Sequence, residues 1–216
     1  MYDIVLFDLD GTLTDSALGI TNSVRYALDK IGIPVNDESE LLRFVGPPLV
    51  ESFEEFYGFS KERALEVTHI YREYYSVSGL FENKVYDGIV ECLENLKKAG
   101  RRVIVATSKP EPFARRIIER FSLSQYFEYV AGANMDETRT GKDEVITYAL
   151  EACNITDKSG AVMVGDRAHD INGAKKTGIA SIGVLYGYGS LDELKKAGAD
   201  HIAATPQEVC DIIINS

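Results

Sequence analysis

Positive charge is in short supply in these 216 residues: 23 Lys and Arg stand against 34 Asp and Glu, for a net charge of -11 at pH 7. Non-specific nucleic-acid binding needs clustered cations to neutralise phosphates, so no nucleic-acid partner is expected. An acidic chain can still hold an anion where positive groups and a cation are local. Cysteine is scarce as well. Cys92, Cys153 and Cys210 are odd in number, widely spaced and set in helix-like contexts, which reads as buried free thiols and not as a disulfide framework. His69 and His201 have no metal-ligand spacing. No apolar stretch reaches the roughly 18 residues of a membrane span, and the N-terminus lacks the charged-then-apolar layout of a signal peptide. The expectation is a reduced, cytoplasmic protein with no membrane contact, a monomer or homodimer.

What is present begins at Tyr2-Asp-Ile-Val-Leu-Phe7, a short apolar run that leads at once into Asp8-Leu9-Asp10-Gly11-Thr12. Two carboxylates two residues apart leave a strand end together, and Gly-Thr lets the backbone turn sharply. After it, residues 17–32, 38–44, 48–57 and 60–76 carry apolar residues at helical spacing, broken at Gly32-Ile33-Pro34, Gly46-Pro47-Pro48 and Gly58. This reads as a small helical bundle.

From Tyr86 the pattern alternates. Helices are expected over 89–99, 111–121, 142–152 and 168–177, and strands over 102–107, 126–131, 161–165 and 180–185. A helix near Leu191, a short strand at 201–203 and a helix from Pro206 follow. Buried strands alternating with helices predict an α/β fold, a doubly wound parallel sheet, with the helical stretch inserted after its first strand. The expected division is 1–15 with 86–216 as core and 16–85 as the insertion. One large domain or a core with an inserted module suits this length.

Ligands of such sheets bind at the carboxyl ends of strands. The strand over 102–107 runs into Thr107-Ser108-Lys109-Pro110, hydroxyls and backbone N–H groups expected at a helix start. That is a candidate anion site, or simply an N-cap. The strand over 161–165 runs into Gly165-Asp166-Arg167-Ala168-His169-Asp170, whose two carboxylates share one side of an opening helical turn. Lys142 sits where a helix begins, an unfavourable place for a cation without a negative partner. Carboxylates gathered on one rim repel unless a cation intervenes. With hard oxygen donors and no Cys or His cluster, Mg²⁺ is the fitting metal.

These four segments together resemble the signature motifs of the haloacid dehalogenase superfamily, in its phosphoglycolate phosphatase-like branch with a helical cap after the first strand. The resemblance covers nearly the whole chain and implies a phosphatase for a small phosphorylated substrate. It implies Asp8 as nucleophile forming an aspartyl-phosphate, Asp10 as general acid and base, and Thr107 and Lys142 as ligands of the phosphoryl oxygens. Mg²⁺ would be held by Asp8, the Asp10 backbone carbonyl and Asp166, with Asp170 supporting. Gly11, Thr12, Ser108 and Lys109 would add phosphate contacts. Asp10, Asp166 and Asp170 argue against dehalogenation, and Leu9 stands where the ATPase branch carries Lys. A sugar phosphomutase or other phosphotransferase shares Asp8 and Asp10. A non-catalytic phospho-ligand-binding regulator is disfavoured by the complete motifs.

The resemblance assigns specificity to the cap, where Arg43 in Arg43-Phe44-Val45-Gly46-Pro47-Pro48 either meets a substrate anion or is an exposed helix-end cation. Tyr71, Tyr74 and Tyr75 read as cap packing in preference to a base-stacking platform, and His169 as outward-pointing. Tyr186-Gly187-Tyr188-Gly189 either borders the site or marks a turn. The open substrates are phosphoglycolate, a nucleoside monophosphate, pyrophosphate and a sugar phosphate.

Overall fold

The computed structural model describes residues 2–215. By internal contacts the chain forms two compact units, one made of the residues up to Thr14 with those from Val85 on, the other Asp15–Lys84.

The first unit is built on a six-stranded parallel sheet among the described residues. Its strands are β1 (Ile4–Phe7), β4 (Arg102–Pro110), β5 (Tyr129–Ala133), β6 (Ala161–Gly165), β7 (Ala180–Val184) and β8 (His201–Ala203). They lie in the order β5-β4-β1-β6-β7-β8. β1 is all apolar and wholly buried, as a central strand covered on both faces must be. Because period two sends alternate residues to one face, Ile4, Leu6, Ile104, Ala106 and Met163 share a cluster with Val145, Ile146, Ala149 and Ala174. Those partners come from helices α6 (Lys142–Ala152) and α7 (Ala168–Thr177).

From β1 the chain order runs outward to β4 and β5 on one side and to β6, β7 and β8 on the other, so the sheet reverses direction beside β1. That crevice is where an open α/β sheet binds ligands. Register makes the placement specific. Phe7 pairs with Val105 on one side and Val164 on the other, so Asp8, Thr107 and Asp166 emerge within a residue of one another on one rim.

The second unit holds α1 (Ala17–Lys30), α2 (Leu49–Tyr57), α3 (Lys61–Tyr75) and 3-10 turns at Glu38–Phe44 and Gly79–Phe81. Phe44 packs on Phe53 and Phe56 at 4.9 and 5.1 Å between ring centroids. Tyr71 and Tyr75 are buried and stacked at 5.2 Å, while half-buried Tyr74 donates to Glu82.

Several boundaries differ from expectation. Residues 38–44 form a 3-10 segment and not an α-helix, capped by Asp37, whose side chain accepts from the Ser39 N–H. The strand expected over 102–107 continues to Pro110 with a register break after Thr107, so Thr107, Ser108 and Lys109 belong to an irregular strand end and not to a helix start. Helix α4 (Ile89–Lys98) lies where expected, and helix α5 (Glu111–Arg120) begins only after Pro110, with Pro112 in its first turn, where a missing N–H costs nothing. β5 starts at Tyr129 because a 3-10 turn takes Ser124–Tyr126. Short strands β2 (Thr14–Asp15) and β3 (Lys84–Val85) pair with each other; two-residue strands leave no periodicity to read.

Candidate active site

Asp8 continues β1, its N–H donating to the Val164 carbonyl at 2.9 Å. The chain then turns within six residues: the Leu9 carbonyl accepts from the N–H groups of Leu13 and Thr14, and Gly11 N–H donates to Thr14 O at 2.8 Å. Gly11 adopts φ +81°, and a Cβ there would stand 2.6 Å from Cγ of Asp166. Only glycine lets this turn lie against that carboxylate.

Asp8, Asp10, Thr12, Thr107, Lys142, Asp166 and Asp170 are all buried, an unusual load of ionisable groups for an interior. Lys142 is the first residue of α6, after Gly141, whose N–H donates to the Glu144 carboxylate in a capping box. Its Nζ lies 2.8 Å from Oδ1 of both Asp8 and Asp170 and donates to the Ala106 carbonyl at 3.2 Å. Burial pulls the ammonium pKa down, but Asp170 and Asp8 outweigh it and the net shift is upward. Lys142 thus stays charged, and its awkward position at a helix start has the negative partners the sequence called for.

Asp170 divides its oxygens: Oδ2 accepts from the Arg167 N–H at 3.0 Å and Oδ1 faces Lys142. Asp166 precedes α7. Its Oδ2 accepts from the Tyr188 N–H at 2.7 Å, while the Thr12 hydroxyl lies 3.5 Å from Oδ1.

One oxygen from each of Asp8, Asp166 and Asp170 falls within 4.8 Å of the others. Burial, with Asp170 and Asp8 next, raises Asp166 to about 8. Asp8 rises to about 6, because burial outweighs the pull of Lys142 and Asp170 adds to it. Both shifts mark the cost of ionising the cluster: fully ionised, the three carboxylates against the Lys142 ammonium would carry two net negative charges, which a divalent cation would neutralise in place of the retained protons. Oδ1 of Asp8 and of Asp170 have no aligned hydrogen bond, and all donors are hard oxygens. The set therefore fits Mg²⁺.

Lys109, which the sequence offered as a phosphate contact, has its Nζ 2.6 Å from Oδ2 of Asp10. The register break in β4 displaces Ser108 and Lys109 from the ladder, and such irregularities beside sites re-aim side chains. Thr107 Oγ1 accepts from the Lys109 N–H at 3.3 Å. Arg43 belongs to the other unit, where its guanidinium stacks on Phe56 at 4.3 Å. His69 and His169 are exposed, and His201 meets the Tyr2 hydroxyl at 3.0 Å. Sequence reasoning missed the Ala106 carbonyl, the Tyr188 N–H and Glu193, which accepts from Arg167 Nε and the Ala168 N–H. The first two are backbone groups, which leave no residue-type signal, and Glu193 lies 26 residues from Arg167 in the chain.

No helix among the described residues is long and apolar enough to cross a membrane. The sequence profile described as haloacid dehalogenase-like hydrolase matches residues 5–184. A 5'-nucleotidase of Pseudomonas aeruginosa is 46% identical over 203 residues, covering 94% of this chain and 91% of its own. The tyrosine-protein kinase PtkA of Mycobacterium tuberculosis is 44% identical over 209 residues, covering 95% of this chain and 70% of its own. Among solved structures, a predicted phosphatase from Clostridium acetobutylicum superposes with a TM-score of 0.97 at 49% identity over 100% of both chains.

Proposed function

The chain belongs to the haloacid dehalogenase-like hydrolases, and from that premise we propose a Mg²⁺-dependent phosphomonoesterase that hydrolyses a small phosphorylated metabolite, phosphoglycolate-like or a nucleoside monophosphate, through an aspartyl-phosphate. The observation that carries this reading is the buried contact of Asp8 and Lys142 at the sheet's switch point, with Asp166 and Asp170 alongside.

In the proposed reaction an Asp8 carboxylate oxygen attacks phosphorus in line, and the bond from phosphorus to the leaving oxygen breaks. Asp10, an ionised partner of Lys109 before substrate arrives, takes up a proton carried in by the phosphate monoanion and gives it to that oxygen. It then takes a proton from the water that attacks the aspartyl-phosphate, so inorganic phosphate leaves and Asp8 is regenerated. Lys142, Thr107 and the backbone N–H of Ser108 hold the phosphoryl oxygens where charge accumulates, whereas the N–H groups of Gly11 and Thr12, offered by the sequence as phosphate contacts, are taken by the Thr14 and Leu9 carbonyls and serve to fix the turn. Asp8, the Asp10 carbonyl and Asp166, supported by Asp170, would hold Mg²⁺, which when bound neutralises charge on the phosphoryl group. Lys109 keeps the Asp10 carboxylate in place beside the site, and Arg43 is assigned to the remainder of the substrate. Free buried cysteines suit a reducing cytoplasm.

A second reading, transfer to an acceptor other than water, is favoured by the relative named as a tyrosine kinase; the aspartyl-phosphate half of the reaction would be the same. The experiment is inorganic phosphate release from phosphoglycolate, nucleoside monophosphates, pyrophosphate and sugar phosphates, with Mg²⁺ or EDTA, for wild type and Asp8→Asn. Release that needs Mg²⁺ and is lost in Asp8→Asn is the expected result. Absence of release with every substrate overturns hydrolysis and moves the acceptor reading ahead.

A further inference from the structure

The segment between β7 and helix α8 (Leu191–Ala197), Tyr186-Gly187-Tyr188-Gly189, reads in the sequence as a turn or a border, yet its backbone lies directly on Asp166. The Tyr188 N–H donates to Oδ2 of Asp166 at 2.7 Å. A Cβ on Gly187 would land on the Gly11 carbonyl oxygen and on Cβ of Asp166, and would stand 2.6 Å from its Oδ2. A Cβ on Gly189 would land on the Asp166 carbonyl oxygen, 3.0 Å from the carbonyl carbon. A simple turn has no need of two glycines at such approach, and neither has a left-handed φ that would explain it.

Both ends of the segment are anchored. Tyr186 packs edge-on against Tyr86 at 5.3 Å between centroids. Ser190 caps α8 by accepting from the Glu193 N–H, and Glu193 reaches back to accept from Arg167 Nε at 2.9 Å and from the Ala168 N–H at 2.8 Å. The loop and the first turn of α8 therefore grip the two residues that follow Asp166 as well as its carboxylate.

We propose that residues 186–193 form a clamp that sets the orientation of the Asp166 carboxylate for a divalent cation, with Gly187 and the Tyr188 amide as positioning groups and Glu193 as the brace. The amide occupies Oδ2 at 2.7 Å, which leaves Oδ1, met only at 3.5 Å by the Thr12 hydroxyl, as the oxygen presented. Groups that orient a metal ligand from behind commonly matter about 10- to 100-fold to metal affinity. The inference rests on the reading of Asp166 as a metal ligand.

The test uses Mn²⁺ as probe on the full chain, with free Mn²⁺ read by electron paramagnetic resonance for wild type, Gly187→Ala and Glu193→Gln, each checked for folding by circular dichroism. Gly187→Ala is expected to bind Mn²⁺ about 10- to 100-fold more weakly, Glu193→Gln more weakly than wild type by a smaller factor. The metal concentration for half-maximal phosphate release should rise in step, with kcat largely recovered at saturating metal; a merely structural role would lower kcat without that recovery. A folded Gly187→Ala with wild-type Mn²⁺ affinity overturns the clamp alone, and if that variant does not fold, wild-type affinity in Glu193→Gln does the same. Wild type that binds no Mn²⁺ overturns the metal reading and the clamp with it.

Discussion

Lys109 Nζ lies 2.6 Å from Asp10 Oδ2, with the two side chains 6% and 8% exposed. The other oxygen of Asp10 is buried with no hydrogen-bond partner, so the lysine is the charge that makes this carboxylate tolerable where it sits. Removing one member of a buried pair leaves the other uncompensated, at a cost of about 3–5 kcal/mol, whereas removing both costs less. Lys109→Met should therefore be destabilised by roughly that amount, and Lys109→Met with Asp10→Asn by less than the sum of the singles. Urea unfolding of the four proteins in a double-mutant cycle measures it. Strict additivity would mean that the pair is not coupled.

Lys142 bridges Asp8 and Asp170 from the start of α6 and also donates to the Ala106 carbonyl. Methionine fills similar volume without the charge. If the ammonium stabilises phosphoryl oxygens as proposed, Lys142→Met should lose about 10²–10³ in kcat, the scale of deleting one preorganised donor. Steady-state phosphate release at saturating Mg²⁺ checks this. A loss under tenfold would confine Lys142 to holding the carboxylates together.

Much of this was legible in the sequence, and for stated reasons. Buried parallel strands are continuous apolar runs, and their ends are marked by polar residues, so Asp8, Thr107 and Asp166 are readable from the sequence. Lys142 betrayed itself by standing where helix dipoles disfavour cations. The break in β4 that turns Lys109 toward Asp10 was not legible, because a local register shift depends on the neighbouring strand β5. Nor was the clamp on Asp166, which works through backbone atoms of residues 187–189. The glycines there were visible; what they make room for lies 21 or more residues away in the chain.

The helical unit holds a groove of about 720 Å³ lined in part by Leu18, Arg25, Leu42, Phe81 and Asn83. Both amide atoms of Asn83 are buried without a hydrogen-bond partner, and an unpaired buried polar group costs about 1–3 kcal/mol. The groove's Arg25 and Lys84 face Glu38 and Asp15 at 2.8 and 3.3 Å. Asn83→Leu should raise the unfolding free energy by about 1 kcal/mol or more. If the amide is retained for substrate, the same variant raises KM more than it lowers kcat. Chemical denaturation and a kinetic panel measure the two effects; a destabilised variant with unchanged KM would defeat the reading of Asn83 as a group held for a ligand.

Asp8 at about 6 and Asp166 at about 8 stand above an ordinary carboxyl value of 3.8, burial being the first cause in both. Between the ordinary and the raised value the folded protein holds a proton that the unfolded chain has already released. The metal-free protein therefore loses stability as pH rises, from about 4 to 6 through Asp8 and from about 4 to 8 through Asp166. A cation bound by the same oxygens competes with those protons and stabilises only the folded state. The rise in Tm produced by Mg²⁺ over EDTA should accordingly be larger at pH 8 than at pH 5. Groups that titrate elsewhere contribute equally with and without Mg²⁺ and cancel in that difference. Asp166→Asn, which cannot ionise, should flatten the EDTA profile and shrink the Mg²⁺ effect at every pH. Differential scanning fluorimetry across this range decides it, since a Mg²⁺ effect independent of pH would separate the cation from these two carboxyls.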